Sequence, residues 1–357
     1  MSPQPNEDDT DEAHPRKTSL LFGHAAAEDA LLSAYRGGRV PHAFLLSGPK
    51  GIGKATLAYR MARFVFAHPD PGAADVASAT SLAIDAAHPV ARRIAARAQG
   101  DLLVLQRTPN EKGVLRQQIA VDDVRRTVSF FGSTAGEGGW RIAIVDAVDE
   151  LNRSSANALL KVLEEPPQRA LLLLVCHSAA RVPATLRSRC RVVTLRTMSE
   201  PDVAKAVANV TGTAASDPDV IAAAAAAGGS VARALALLDE DALALRQQAL
   251  DLLEALPKLD AGALHALGDR VAGTDPQPLA ALVDTINVWL AQRLDREGSA
   301  QGGQGGQGGQ VGIRRLARLA EAWEGINAAA RDAETYNLER KPFVFGVFGL
   351  LAAATRG

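Results

Sequence analysis

The segment from Gly48 to Ala55 carries the residue types of a phosphate-binding loop, with one exception. Its sequence, GPKGIGKA, matches the pattern G-x-x-x-x-G-K-[ST] at Gly48, Gly53 and Lys54 and departs from it at Ala55. Glycines in this pattern let backbone N–H groups turn toward phosphate oxygens, the lysine reaches the β- and γ-phosphates, and the Ser or Thr hydroxyl ligates Mg²⁺. The segment, with Gly51 as a further loop glycine, therefore predicts a nucleotide site that lacks one metal ligand.

A second candidate group is Asp146, which ends the apolar run 140–146 (WRIAIVD). An acid at the carboxyl end of a strand beside a phosphate loop can hold Mg²⁺ through water. Sites of this kind normally continue with a glutamate that polarises the attacking water, but the next residue here is Ala147. Glu150 lies further along the chain, and its use in place of that glutamate stays open as an alternative.

The elements that must position these groups can be predicted from hydrophobic periodicity. Short apolar runs predict buried strands at 42–47, 101–106, 140–146, 171–177 and 191–195. Helical spacing predicts helices at 56–66, 119–131 and 154–165, the second with Asp122 as its cap and with Val124, Val128 and Phe131 on its buried face. Strands that alternate with helices predict an α/β fold with a parallel, doubly wound sheet.

The chain changes character after Met198, where helical periodicity continues without clear strands. We expect residues 1–18 to form a disordered acidic tail and 19–198 to form the α/β core. We expect 199–243 to form a small helical lid and 244–357 an all-α C-terminal domain. The low-complexity segment QGGQGGQGGQ at 301–310 predicts a flexible loop over 298–311 whose role the sequence leaves open.

Composition excludes several classes of protein. The net charge of −1 gives no overall basic field that would attract nucleic acid. Cys176 and Cys190 are the only cysteines, too few for a disulfide framework or a four-cysteine zinc site. No apolar run reaches membrane-spanning length and the N-terminus lacks the apolar part of a secretion signal, so we expect a cytoplasmic protein without a membrane partner.

Two further segments make the chain resemble the clamp-loader branch of the AAA+ ATPases: SANALLKVLEEPP at 155–167 and LRSRCR at 186–191. The resemblance extends over roughly residues 20–240. It implies a RecA-like AAA+ P-loop module, a helical lid and a C-terminal collar domain that oligomerises. It also implies that Arg189 is an arginine finger, a rigid cation that neutralises charge on the γ-phosphate in a neighbouring subunit's ATP site.

Departures from the active members of that branch indicate that this chain has lost ATP hydrolysis. Ala55 removes a metal ligand and Ala147 replaces the catalytic glutamate. Cys176 and His177 stand where active members carry a polar sensor residue. Arg233 stands one position late for the second sensor pattern, Gly-Ser-x-Arg. We therefore expect Arg189 to be the chain's own contribution to catalysis.

The resemblance implies a subunit that requires no cofactor and binds ATP or ADP only weakly, through the residues Gly48, Gly51, Gly53, Lys54 and Asp146. It implies no metal site, because the stretch 68–100, where relatives often carry a zinc module, contains no cysteine. Alone, such a chain is not expected to hydrolyse ATP or polymerise DNA.

The partners implied are the gamma/tau and delta clamp-loader subunits of DNA polymerase III. Through that assembly the chain would meet the sliding clamp and primed DNA, and indirectly the single-stranded-DNA-binding protein and the polymerase core. Direct DNA contacts stay open, because short basic runs such as Arg125-Arg126 more often form solvated helix faces. The alternative is an active AAA+ ATPase of gamma/tau type, which the intact Gly48, Gly53, Lys54 and Asp146 support.

Overall fold

The computed structural model describes residues 14–38, 40–108, 116, 118–132, 139–273, 276–301, 307–335 and 338–356. The chain divides into two compact units, Met1–Leu235 and Ala236–Gly357. The division falls somewhat before the predicted boundary at 243/244. Within the described ranges, no helix is both long enough and apolar enough to cross a membrane.

The first unit contains a parallel sheet whose described strands have the order β2-β3-β4-β1-β5. The strands are β1 (Ala43–Ser47), β2 (Leu102–Gln106), β3 (Arg141–Asp146), β4 (Ala170–Cys176) and β5 (Arg191–Thr194). All four neighbouring pairs are parallel, and the predicted strand positions agree with these bounds within two residues. The predicted α/β fold with a parallel sheet is confirmed.

Helices cover both faces of this sheet. One face packs on α1 (Ala25–Arg36), α2 (Lys54–Ala67), α3 (Ala74–Ser78) and α4 (Pro89–Ala95), and the other on α5 (Val121–Gly132), α6 (Arg153–Glu164) and α7 (Ala184–Arg187). Strand β4 shows why: Leu171 and Leu173 belong to the first core, whereas Leu172 and Leu174 belong to the second. A strand buried on both faces has no polar positions, so it reads as a continuous apolar run.

The register of the sheet brings the candidate groups to one edge. Ser47 at the end of β1 pairs with Cys176 at the end of β4, and Asp146 at the end of β3 pairs with Val175. The glycine loop, Asp146 and His177 therefore all follow the carboxyl ends of adjacent strands. In open parallel sheets this edge is where ligands bind.

The end of the predicted N-terminal tail is ordered. Residues 14–18 pack on α2: Arg16 is buried, and the Arg63 guanidinium donates hydrogen bonds to the carbonyl oxygens of Thr18, at 2.9 Å, and of Arg16. A buried guanidinium requires acceptors, and this segment supplies them through its backbone. The prediction of a disordered tail is thus wrong for 14–18, and its remainder, 1–13, lies outside the described residues.

Two details of α5 also differ from expectation. The helix begins at Val121, so Asp122 lies inside its first turn instead of capping it. Val124 and Phe131 are buried as predicted, but the Val128 side chain is 42% exposed. Thr127 is buried instead, because α6 covers the face formed by positions i, i+3 and i+7.

The lid region forms α8 (Glu200–Thr211), α9 (Pro218–Ala226) and α10 (Val231–Ala236). The second unit contains α11 (Glu240–Glu254), α12 (Ala261–Val271), α13 (Pro276–Gln301), α14 (Gln307–Thr335) and α15 (Arg340–Thr355). Helices α13 and α14 extend into both flanks of the predicted flexible loop 298–311, so those bounds are too wide. The helices continue because extending a formed helix costs less free energy than nucleating a new one. Residues 302–306 lie outside the described residues.

A polar network joins α13 to α14 within the second unit. The Asn287 side-chain carbonyl accepts hydrogen bonds from Trp323 Nε1 at 2.7 Å and from Asn327 Nδ2 at 3.1 Å. The Asn287 amide in turn donates to Asn327 Oδ1 at 3.2 Å. Because each partly buried amide needs its partner opposite, the network fixes the register of these two helices.

We expect Val145→Ala, in the buried strand β3, to lower the free energy of unfolding of the first unit by about 2 kcal/mol, because each buried methylene contributes about 0.8 kcal/mol and a cavity adds to the loss. Val128→Ala is the matched control, and its exposed side chain should change stability by less than about 0.5 kcal/mol. Urea unfolding of both variants measures the difference, and equal costs would contradict the assigned orientation of α5.

Candidate functional site

The glycine loop between β1 and α2 is held by close approach of the surrounding chain. Gly51 and Gly53 have φ values of +77° and +96°, which a glycine adopts without strain. A Cβ atom at Gly51 would collide with the Ser230 hydroxyl, and one at Gly48 would collide with the carbonyl oxygen of Leu195. These glycines are therefore required by the chain's own packing, independently of any bound phosphate.

The Lys54 side chain bonds to its own loop. Its ammonium group donates a hydrogen bond to the Gly48 carbonyl oxygen at 2.7 Å and another to the carbonyl oxygen of Pro49. The side chain is buried, and burial lowers the pKa of Lys54 to about 8. Two of its three N–H donors are thus used within the loop, which leaves one for a phosphate.

Asp146 lies at the carboxyl end of β3, close enough to Lys54 for their charges to interact. Burial and, to a smaller extent, the charge of Glu150 raise the pKa of Asp146 to about 6, while Lys54 opposes this shift. The residue that follows, Ala147, is buried and offers no polar group. The carboxylate at the predicted metal position is therefore poorly stabilised in its charged form.

The two acids that follow Ala147 both have partners. The Asp149 carboxylate accepts hydrogen bonds from the backbone N–H groups of His177, at 2.9 Å, and of Ser178, at 3.1 Å. Glu150 forms an ion pair with Arg107, with 2.8 Å between Nε and Oε2. A general base needs a free carboxylate within reach of water. The alternative, in which Glu150 takes the place of the glutamate that polarises the attacking water, is therefore disfavoured.

Neither of the two predicted sensor positions brings a charged side chain to the cleft. Burial lowers the pKa of His177 to about 4, so its ring is neutral near pH 7 and brings no charge to the cleft. Arg233 donates a hydrogen bond from Nη1 to the Ala227 carbonyl oxygen at 2.7 Å, within the lid. The shifted spacing of Arg233 in the sequence thus corresponds to a side chain that bonds its own backbone.

Sequence patterns did not reveal two groups that hold the loop. His24 is buried, and its Nε2 lies 2.6 Å from the carbonyl oxygen of Ile52. From the lid, the Ala232 N–H donates to the Gly51 carbonyl oxygen at 3.2 Å. Both residues are distant from the loop in sequence; His24 belongs to no motif, and Ala232 stands where the pattern Gly-Ser-x-Arg would have its arginine. A cleft of about 1490 Å³ lies beside the loop. Its lining includes loop residues 50–55, Phe22, Asp146 and His177.

Arg189 lies outside that cleft, on the turn that follows α7. Three consecutive side chains donate to the last carbonyl groups of α7: Ser188 Oγ and Arg189 Nη1 to Thr185, at 3.2 and 2.9 Å, and Cys190 Sγ to Leu186, at 3.2 Å. The Arg189 side chain is 37% exposed, and its Nη2 lies 3.0 Å from Glu164 Oε1. The turn thus presents a cation on the surface, away from the chain's own phosphate loop.

No group of three or more His, Cys, Asp or Glu side chains in the described part of the chain is placed to hold a metal ion. The stretch 68–100 instead contains α3 and α4. There the Tyr35 hydroxyl donates to the His68 carbonyl oxygen at 2.5 Å, and Trp140 Nε1 donates to the Pro69 carbonyl oxygen at 2.9 Å. The absence of zinc stays a prediction.

Comparison with known proteins identifies relatives of the first unit. Residues 23–199 match the family described as DNA polymerase III, delta subunit. DNA polymerase III subunit delta' of Pseudomonas aeruginosa is 37% identical over 158 residues, covering 43% of this chain and 43% of that protein. Subunit gamma of Buchnera aphidicola subsp. Schizaphis graminum is 28% identical over 189 residues, covering 53% and 47%. The chain thus covers less than half the length of these relatives.

Two further matches extend over more of the chain. Subunit delta' of Escherichia coli is 29% identical over 216 residues and covers 60% of this chain and 59% of that protein. Among solved structures, a DNA polymerase III gamma subunit-related protein of Thermotoga maritima has a TM-score of 0.45 and 16% identity, covering 92% of this chain and 100% of that one.

We expect Asp146→Asn to stabilise the first unit at pH 7.5 by about 1–2 kcal/mol, because a raised pKa in the folded state means that the charged carboxylate opposes folding. The gain should be complete above the folded pKa of about 6 and should disappear toward the ordinary pKa of 3.8 as the wild-type acid is protonated. Thermal unfolding at pH 7.5 and 4.5 measures it.

Asp29→Asn, on the exposed face of α1, is the control for this prediction. It removes the same charge from the surface and should leave the difference between the two pH values unchanged. A destabilised Asp146→Asn variant at pH 7.5 would mean that the pairing with Lys54 outweighs burial.

Proposed function

We propose, from the premise that residues 23–199 belong to the clamp-loader family of DNA polymerase III, that this chain is a delta'-type subunit of a clamp loader. It would act as a largely non-hydrolysing stator that supplies Arg189 in trans. The observation that carries the proposal is the position of Arg189. Its cation lies outside the chain's own cleft on a hydrogen-bonded turn, whereas inside the cleft Lys54 bonds to its loop and Glu150 pairs with Arg107.

The chain's own cleft does not fit a hydrolysing Mg-nucleotide site. Ala55 offers no hydroxyl for the metal, Ala147 offers no carboxylate for the attacking water, and Glu150 is paired with Arg107. Two of the three Lys54 donors are bound to loop carbonyls, so one is left for a nucleotide phosphate. This arrangement supports the proposal of weak ATP or ADP binding through the loop glycines and Lys54 without turnover.

Arg189 would act by electrostatic stabilisation. Phosphoryl transfer builds charge on the γ-phosphate oxygens, and a guanidinium supplied by a neighbouring subunit offsets that charge without taking part in bond making. A planar fork that is always protonated suits this task better than an ammonium group. Because the residue comes from a different chain, turnover would depend on assembly.

The partners proposed are the gamma/tau and delta subunits, with the second unit serving as the collar that oligomerises with them. The assembly would use ATP to open the sliding clamp and place it on primed DNA. Contact with the single-stranded-DNA-binding protein and the polymerase core would be indirect. Relatives named as delta' and as tau or gamma support a place in this assembly.

The second candidate function is an active ATPase of gamma/tau type. It is favoured by one observation: Gly53, Lys54 and Asp146 line the cleft, and Gly48 begins the same loop. Matches to gamma and tau subunits agree with it as well as with the first candidate. The two candidates differ in whether the isolated chain turns over ATP.

We expect Arg189→Ala, in the assembly reconstituted with its gamma/tau and delta subunits, to lower ATP turnover at the neighbouring site by about 10³-fold or more, the range known for arginine fingers. Total ATPase activity should fall by that site's share, and clamp loading on primed DNA should fall with it. Arg191→Ala, an exposed arginine two residues away, is the matched control and should leave turnover unchanged. Unchanged turnover in Arg189→Ala would disprove the finger role.

We expect calorimetry on the isolated chain to show weak or no Mg-ATP binding and no turnover, because the loop lysine is bound to its own backbone. Any binding should be lost in Lys54→Ala and kept in Lys17→Ala, a lysine outside the cleft lining. Tight Mg-ATP binding with turnover that Lys54→Ala abolishes would establish the gamma/tau-type alternative instead.

A further inference from the structure

We infer that Glu164 is a positioning residue for Arg189, which orients its guanidinium before a neighbouring subunit docks. This inference rests on the proposed role of Arg189 as an arginine finger. Glu164 belongs to the LEEPP segment. That segment is part of the family resemblance, but the sequence assigns no chemical role to its acids.

Two contacts fix the guanidinium of Arg189. Its Nη1 donates to the Thr185 carbonyl oxygen at 2.9 Å, and its Nη2 lies 3.0 Å from Glu164 Oε1. Both anchors come from the same chain, one from α7 and one from the last residue of α6. Because a guanidinium is planar and carries five N–H donors, two anchors set the direction of the plane and leave other donors available.

The place of Glu164 on its helix argues against a purely local role. It is the last residue of α6, where the helix dipole presents negative partial charge and a basic side chain such as Lys161 is favoured. Glu165 follows directly and adds a second negative charge. An acid there conflicts with local electrostatics unless a cation offsets it. Residues that conflict with local preference in this way are typical of functional sites.

The ion pair is too exposed to contribute much to folding. The side chains of Arg189 and Glu164 are 37% and 50% exposed, so water and salt screen their attraction. What the pair can do is limit the rotamers of a long side chain. A finger already oriented in the free subunit loses less conformational freedom on docking, and more of the assembly then holds it in the productive geometry.

The test is Glu164→Gln in the reconstituted assembly, a change that keeps the side chain's shape and removes its charge. The part of ATP turnover that Arg189→Ala abolishes defines the finger-dependent activity. We expect Glu164→Gln to lower the kcat of that part by about two- to fivefold, the range that an exposed ion pair supports. The KM for ATP should stay unchanged, because orientation of the finger affects the transition state more than the binding of ATP.

Two controls separate positioning from a general effect. Glu165→Gln removes a neighbouring exposed carboxylate and should leave kcat unchanged. Glu164→Gln combined with Arg189→Ala should behave like Arg189→Ala alone, since nothing remains to be positioned. Melting temperatures of the free variants should match that of the unmodified chain.

The outcomes distinguish this inference from the function it rests on. If Arg189→Ala leaves turnover unchanged, the finger role itself is wrong. If Arg189→Ala lowers turnover but Glu164→Gln leaves kcat unchanged or raises it, the finger role stands and the positioning role of Glu164 is overturned.

Discussion

The pairing of β4 with β1 on one side and with β3 on the other is the constraint on which the first unit depends. It places Ser47 beside Cys176 and Asp146 beside Val175, so that three chain segments distant in sequence end at one edge. Both faces of β4 are buried, and a shift of its register would move the loop, the acid and His177 apart together. The strand register therefore decides which side chains meet at the candidate site, and their chemistry depends on that arrangement.

Within that frame, several polar groups in and beside the cleft bond within the chain itself. The Lys54 ammonium has loop carbonyls, the Asp149 carboxylate has two backbone N–H groups, and Glu150 has Arg107. Arg233 has a lid carbonyl. A site that binds and turns over a nucleotide needs groups directed at the ligand. Here the same residue types bond within the chain, whereas the Arg189 cation lies on the surface outside the cleft.

The sequence was sufficient for the strands and for the loop, because buried parallel strands read as apolar runs and the glycine pattern is local. It was insufficient where tertiary contacts decide. His24 and Ser230 reach the loop from distant segments, and Arg16 is ordered because Arg63, on α2, needs backbone acceptors. Val128 fits the helical period of α5 but lies on its exposed side, since α6 covers Thr127 instead. No local pattern carries that information.

Helix α2 holds the segment 14–19 of the first unit in place through two of its arginines. Arg60 and Arg63 on α2 donate to the carbonyl oxygens of Ser19, Thr18 and Arg16, and Arg60 also pairs with Glu28 on α1 at 2.6 Å. Proteolytic trimming up to residue 13 would leave these bonds intact. A cut between residues 15 and 19 would remove backbone acceptors from the buried Arg63, whereas Arg60 would keep its ion pair with Glu28. For this unit, the described contacts with α2 therefore assign a structural role to the few backbone carbonyl groups between residues 15 and 19.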